Sequence, residues 1–449
     1  MIGETGPKGL LPMRSPDPSG FLAEQGVTGR DLTVMLALVA GLLQSGAANA
    51  ESFGPDASKP DADRLQPGLY PASPGLAAPQ EEPLHLPFHL DWSVGLKGSY
   101  TSSSTDGGSF LTTLNPAFAA RHDGQRMDLV VDGDAELARA WDGSGTIAPT
   151  ALRLGLSATM PLDSTTQLNG SAALNFSQSL AGTPGLNPAV DVPPQMVSGS
   201  VGLGLDRSFG KFNLGLKGSL DRSVYGATLR TDTGLTDNSD QNLWAGDASL
   251  RAGVQVTPII EVFAEGSLGR DVFDMTSSTL GVSTNATSTA LRGGVAGSWN
   301  GVWRASASLG LGQYDFDDIS LGDVTTRLYD ASLTYSPDPT VNLTASLSTS
   351  IEPTGADANG TARVAHVAAA NVDYAVNSWL RLRASADWGL SLLEGSGETE
   401  RRHGVGAGAD YALNRQTALS ADYAYAHRGN SIGGPLDTHT LSVGITLRR

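Results

Sequence analysis

The sequence predicts an all-β chain, a transmembrane antiparallel up-and-down β-barrel of about eighteen strands, with sixteen as the alternative count. Three observations predict it. Apolar and polar residues alternate with a period of two from Phe88 onward. Tight turns and longer polar loops alternate along the chain. A run of roughly 20 apolar residues, which a membrane helix needs, does not occur.

Composition narrows the class further. The 449 residues carry 29 Lys and Arg against 46 Asp and Glu, a formal charge of −17, and no cysteine. Without cysteine there is no disulfide framework, no Cys-ligated zinc or iron–sulfur site and no thiol nucleophile. An acidic chain also lacks the basic footprint of a nucleic-acid binder, so no nucleic-acid partner is expected. Only 17% of residues are charged and 55 are glycine.

The chain reads in three parts. Leu32–Leu43 (LTVMLALVAGLL) follows Arg30 and is trailed by QSGAANA, ending in Ala48-Asn49-Ala50. That layout is a secretory signal, so residues 1–50 read as a signal peptide with an atypical N-terminal extension. Residues 51–87 hold Pro55, Pro60, Pro67, Pro71, Pro74, Pro79, Pro83 and Pro87 and few large apolar residues. Such a segment cannot offset its ordering entropy and reads as a disordered periplasmic lead. Residues 88–449 are the barrel.

Its strand segments are 88–101, 110–122, 125–141, 149–161, 164–178, 194–208, 211–225, 241–257, 259–271, 286–300, 301–316, 325–336, 340–352, 362–376, 378–392, 402–413, 416–427 and 437–447. In the first, Leu90, Trp92, Val94, Leu96 and Tyr100 share one face, and Asp91, Ser93, Lys97 and Ser99 the other. Leu380, Leu382, Ala384, Ala386, Trp388 and Leu390 alternate likewise with Arg381, Arg383, Ser385 and Asp387. Short turns fall at 122–124, 161–164, 209–211, 257–258, 300–301, 337–339, 376–378 and 413–415. Longer loops fall at 102–109, 180–194, 228–240, 276–285 and 429–437. One rim therefore has turns and the other loops, the asymmetry of an outer-membrane barrel. The seven tryptophans are placed mostly near strand ends, as in an interfacial girdle. The last strand, TLSVGITLRR, ends in Arg448-Arg449 rather than the usual aromatic residue.

The passage YDASLTYSPDPTVNLTASLSTSIEPT (329–354) closes a strand on Ser-Pro, turns tightly and runs on through alternating Thr and Ser. It resembles the second of the families of outer-membrane β-barrel porins of Gram-negative bacteria, as do the hairpins at 286–316 and 362–392. The resemblance implies an outer-membrane location and a barrel fold. It implies no functional residue. Some members resemble components of exopolysaccharide export.

No constellation for catalysis emerges, and the chain does not read as an enzyme. His85 and His89 flank Pro87, which prevents one helical face from presenting both. The Gly404, Gly406, Gly408 run lies inside a strand and is not a phosphate loop. Asp315, Asp317, Asp318 and Asp323 lack the spacing of a calcium loop. No metal or cofactor is expected.

The lumen face is the candidate site. If apolar side chains meet lipid, Lys97, Asp128, Asp132, Asp134, Glu136, Arg153, Arg251, Arg292, Arg304, Arg381, Arg383 and Asp387 line the interior. Eighteen strands leave room for an aqueous channel, and charged walls set ion selectivity. An inward fold of 180–194 or 224–241 would block it. The implied role is passive passage of small hydrophilic solutes or ions. The alternatives are an exopolysaccharide export component or a structural, adhesive barrel acting through its loops. The expected partners are outer-membrane lipid and lipopolysaccharide, the barrel-assembly machinery and, for the export reading, periplasmic export proteins.

Overall fold

The computed structural model describes residues 88–104, 107–124, 126–141, 147–178, 190–354, 360–430 and 434–449. The expected signal peptide and Pro-rich lead lie outside the described residues. The strands are β1 (His89–Ser103), β2 (Gly108–Asp123), β3 (Asp128–Ala140), β4 (Ile147–Pro161), β5 (Thr166–Gln178), β6 (Val190–Val192), β7 (Gln195–Phe209), β8 (Phe212–Tyr225), β9 (Thr228–Arg230), β10 (Gly234–Thr236), β11 (Leu243–Gln255), β12 (Ile260–Phe273), β13 (Ala286–Trp299), β14 (Trp303–Phe316), β15 (Asp323–Asp338), β16 (Val341–Pro353), β17 (Ala362–Ala375), β18 (Leu380–Glu394), β19 (Glu398–Ala412), β20 (Thr417–Asn430) and β21 (Gly434–Arg448). β6, β9 and β10 form a separate three-stranded sheet. The other strands make one 18-stranded sheet, each antiparallel to its neighbour in sequence, and β1 pairs with β21 to close it. The eighteen segments read from alternation correspond one to one with these strands.

Closure reaches the chain's last residue. Ser93 faces Arg448, and Trp92 and Arg449 exchange both backbone bonds, at 3.1 and 2.9 Å. The departure from a terminal aromatic residue leaves the seam intact, because the ladder uses backbone groups alone.

Alternation sorts the two faces. On β1, Trp92, Leu96 and Tyr100 are exposed outward, whereas inward Ser99 is buried against Ser442, its ladder partner on β21. A pleated strand shows alternate residues to opposite sides, and here one side meets lipid and the other water. Aromatic pairs mark the turn rim: Trp303 with Tyr335 at 4.0 Å and Trp379 with Tyr411 at 5.1 Å between ring centroids. Trp388 departs from the girdle expectation and sits in the middle of β18, on the apolar face.

Four of the tight turns share one device. A side-chain oxygen accepts from backbone N–H groups two and three residues on: Asn377 from Trp379 and Leu380, Asn414 from Gln416 and Thr417, Thr257 from Ile259 and Ile260. Asp338 does the same for Thr340 and Val341. These Asx- and ST-type bonds satisfy donors that the ladder leaves over. The Asn300–Gly301 turn instead uses positive φ at both residues, 50° and 70°, which matches the twist of a two-residue hairpin.

Strand runs into two expected loops. β1 and β2 run to Ser103 and from Gly108, and β20 and β21 to Asn430 and from Gly434. Above the apolar band both faces meet water, so alternation fades while the ladder continues.

Two outcomes test this account. Deleting residues 434–449 leaves β1 and β20 with open edges, and the product should lose the heat-modifiable migration of a closed barrel on gels. Asp163, in the β4–β5 turn, accepts from the Thr165 hydroxyl, the Thr165 amide and the Thr166 hydroxyl, which lower its pKa from 3.8 to about 2. Its contribution to stability is therefore complete above the unfolded value and lost as pH falls through the folded one. A carboxyl NMR titration of the folded barrel should give a midpoint near 2, and one near 3.8 would contradict the turn geometry.

Candidate functional site

The inner face carries the chemistry because lipid excludes charge from the outer one. All twelve residues named from the sequence lie on barrel strands, at positions alternating with the apolar face. Asp128, Asp132, Asp134 and Glu136 form a row on β3. Asp134 stands opposite Arg153 in the ladder, and Glu136 accepts from Thr150 at 2.8 Å and Asn115 at 3.3 Å. Lys97 faces Thr113 on one side and Gly444 on the other. Arg304 stands between Ser298 and Thr334.

Most of the inner arginines are neutralised by carboxylates on nearby strands. Arg251 pairs with Glu261 at 2.9 Å and lies 3.6 Å over the Phe263 ring. Arg292 meets Asp330 at 3.3 Å, and Arg381 meets Asp373 at 3.0 Å. Arg383 holds Asp410 and Asp422 at 3.0 and 2.7 Å. Carboxylates remain over. Among the described residues Asp128, Asp132, Asp134, Glu136, Asp221, Asp247, Glu265 and Asp387 have no ion pair, against Lys97, Arg153, Lys217, Arg304 and Arg402 among the inner cations. Periodicity assigned the charges to a face. It could not tell which would pair, because pairing depends on strand register.

Glycines let these side chains lie flat along the wall. A Cβ on Gly155 would sit 2.8 Å from Asp132 Oδ1, one on Gly404 2.5 Å from Asp387 Oδ1, and one on Gly253 would clash with Glu261 Oε1. Each glycine is the ladder neighbour of the acid or lies beside it. The wall therefore holds charge without long side chains standing out into the bore. A shallow groove of about 580 Å³ runs along this wall, lined by Ser157, Asn169, Ser171, Lys217 and Asp247 among others.

The loop-side mouth is narrowed by wall strands. β15 and β16 pair from Asp338↔Val341 to Ala331↔Leu347. Above that point β15 continues against β14 and β16 against β17, but not against each other. The upper parts of β16–β18 turn inward. Val364, Ile351 and Leu392, which continue the outward face, pack in one buried cluster with Tyr314, Phe316 and Val324 from the inner face. Tyr314 donates to Asp271 at 2.7 Å. Arg363, which pairs with Glu352, acts electrostatically on Tyr225 of β8, seven barrel strands away. β17 and β8, on opposite sides of the barrel, thus approach each other at the mouth.

A family model described as "Putative beta-barrel porin 2" matches residues 89–449. The chain belongs to this family. It is an outer-membrane β-barrel of the porin type, and both family and fold point to a channel rather than an enzyme. No curated protein matches this porin. Its fold is similar to solved outer-membrane proteins of Pseudomonas aeruginosa. One is OpdK, at 13% identity over 80% of this chain and 99% of the other, with a TM-score of 0.39. Another is OccK3 (OpdO), at 13% identity over 80% and 96%, with a TM-score of 0.40. The FrpB iron transporter from Neisseria meningitidis aligns at 8% identity over 76% and 62%, with a TM-score of 0.40.

Replacing Arg383 with Ala frees the Asp410 and Asp422 carboxylates without changing the apolar face. The variant should shift reversal potentials in a salt gradient toward stronger cation preference. Replacing Gly404 with Val should push Asp387 off the wall and lower single-channel conductance.

Proposed function

We propose that this porin passes small hydrophilic solutes and ions across the outer membrane by passive diffusion, with a preference for cations. The observation that carries the preference is the surplus of unpaired inner carboxylates, centred on the β3 row and on Asp221, Asp247 and Glu265. An arginine held by one acid, as Arg251 is by Glu261, presents little net charge to a passing ion, whereas Arg383 with its two acids leaves one negative charge over. Free carboxylates in a water-filled bore raise the local concentration of cations. The mechanism needs no resident metal or cofactor, since the driving force is the solute gradient. The wall supplies hydrogen-bonding Ser, Thr and Asn groups that exchange for hydration water.

The remaining partners follow from placement. The signal segment delivers the chain to the periplasm, where the barrel-assembly machinery would take the β21 strand as its handle. Residues 51–87 would remain on the periplasmic side. Lipopolysaccharide would meet the outer wall where Arg270 pairs with Asp317 above the apolar band, at 2.6 Å.

The test is the full chain in a planar bilayer. Steady ohmic steps are expected, with reversal potentials in a salt gradient that favour cations. Asp132→Asn with Asp134→Asn should weaken that preference. Anion-selective steps would overturn the charge argument, and electrical silence from a heat-modifiable barrel would overturn the channel.

A further inference from the structure

The seam between β15 and β16 has features of a joint with two seatings. Their ladder stops at Ala331↔Leu347, leaving the facing edges of Asp323–Asp330 and Ser348–Pro353 without a ladder partner in each other. Every other neighbouring pair in the barrel runs through at least eleven residue pairs, whereas this one has six.

The two free edges are in register. Carried upward without a shift, the ladder would set Asp330 against Ser348, Tyr329 against Thr349, Leu328 against Ser350 and Thr326 against Glu352. The side chains suit that arrangement. Ser348, Ser350, Glu352 and Arg363 would continue the polar inner face, and Thr349, Ile351, Val364 and Leu392 the outer one. The upper parts of β16–β18 thus keep the residue pattern of a wall, although they lie inside it.

The inner face of the opposing strands suits the position observed. Tyr314, Phe316, Val324 and Leu328 are buried apolar residues on a face that elsewhere is largely Ser, Thr, Gly and charge. Tyr314, Phe316 and Val324 cover the outward face of the tucked segment, where Val364 is 2% exposed and Ile351 and Leu392 pack beside it. Each seating therefore satisfies what the other gives up. Tucked, the apolar cluster is buried and the edges are left to water at the mouth. Zipped, the edges bond and the apolar face turns outward. Such a two-state element can switch without loss of fold.

We propose that the upper parts of β16, β17 and β18 form a flap that gates the loop-side mouth, tucked in as seen here and zipped onto β15 when open. The Arg363–Glu352 pair rides on the flap and faces Tyr225 across the bore, so a solute meets it at the mouth in the tucked state. Zipping carries it back to the wall. The flap sets which solutes pass, and the inference rests on the channel reading given above.

The chain's lack of cysteine makes the test clean. In full-length protein, Tyr329→Cys with Thr349→Cys places two thiols together only in the zipped state. Val324→Cys with Val364→Cys places them within the tucked cluster, where a short bifunctional thiol reagent would bridge them. Both bridges are read first on gels, independently of conductance. Both should form. In bilayers the 329–349 disulfide should abolish the smaller conductance level and reduction should restore it. The 324–364 bridge should abolish the larger level. Val364→Ser, which adds no bridge, should raise the time spent in the larger level. A 329–349 pair that stays reduced while both thiols react with a soluble maleimide would overturn the gate, as would bridged forms that conduct like the parent. Absence of any current in bridged and parent barrels alike would instead count against the channel itself.

Discussion

Backbone pairing in a solvent that offers no hydrogen bonds is the constraint on which the rest of this structure depends. Within the hydrocarbon layer an unpaired N–H or C=O costs several kcal/mol. A sheet can avoid that cost only by closing. Here closure is made by β1 and β21 and carried to Arg449 by the Trp92 exchange. With the ladder complete, the outer face needs only to be apolar and the inner face is free to carry charge. The two charged C-terminal residues are tolerated because the seam asks nothing of their side chains.

Closure also explains how the interior is furnished. A long charged side chain on a concave wall would converge with its neighbours toward the axis. Gly155, Gly253 and Gly404 give Asp132, Glu261 and Asp387 a place to lie along the wall instead. Arginines bound to carboxylates on adjacent strands are held down in the same way. The same glycines would weaken an ordinary strand. In a closed ladder their neighbours on both sides hold them extended, and the missing side chain becomes bore.

Among the described residues the ladder has its longest break at the loop-side mouth, between β15 and β16 and above most of the apolar band, where water can satisfy the free edges. The upper halves of β16–β18 leave the wall there and bury an apolar face against Tyr314, Phe316 and Val324. Lower in the membrane the same break would expose unpaired backbone to lipid. The position of the seam is thus set by the solvent around it, and the narrowing of the mouth follows from it.

Reading the chain residue by residue recovered the strand count and the tight-turn rim. A period of two is a local property, and so are the Asp, Asn and Thr residues that close the turns. Loop lengths at 102–109 and 429–437 were misread because the contrast between lipid and water vanishes above the band while hydrogen bonding continues. The sequence by itself determined that the chain would form an alternating, closed, membrane-facing sheet, since alternation, turns and the lack of a long apolar run are all written locally. Only the tertiary structure decided that Arg383 meets Asp410 and Asp422, that Arg251 stacks on Phe263, and that β16 leaves β15 after Leu347. Those outcomes depend on register between strands and on contacts across the bore, and no local pattern encodes either.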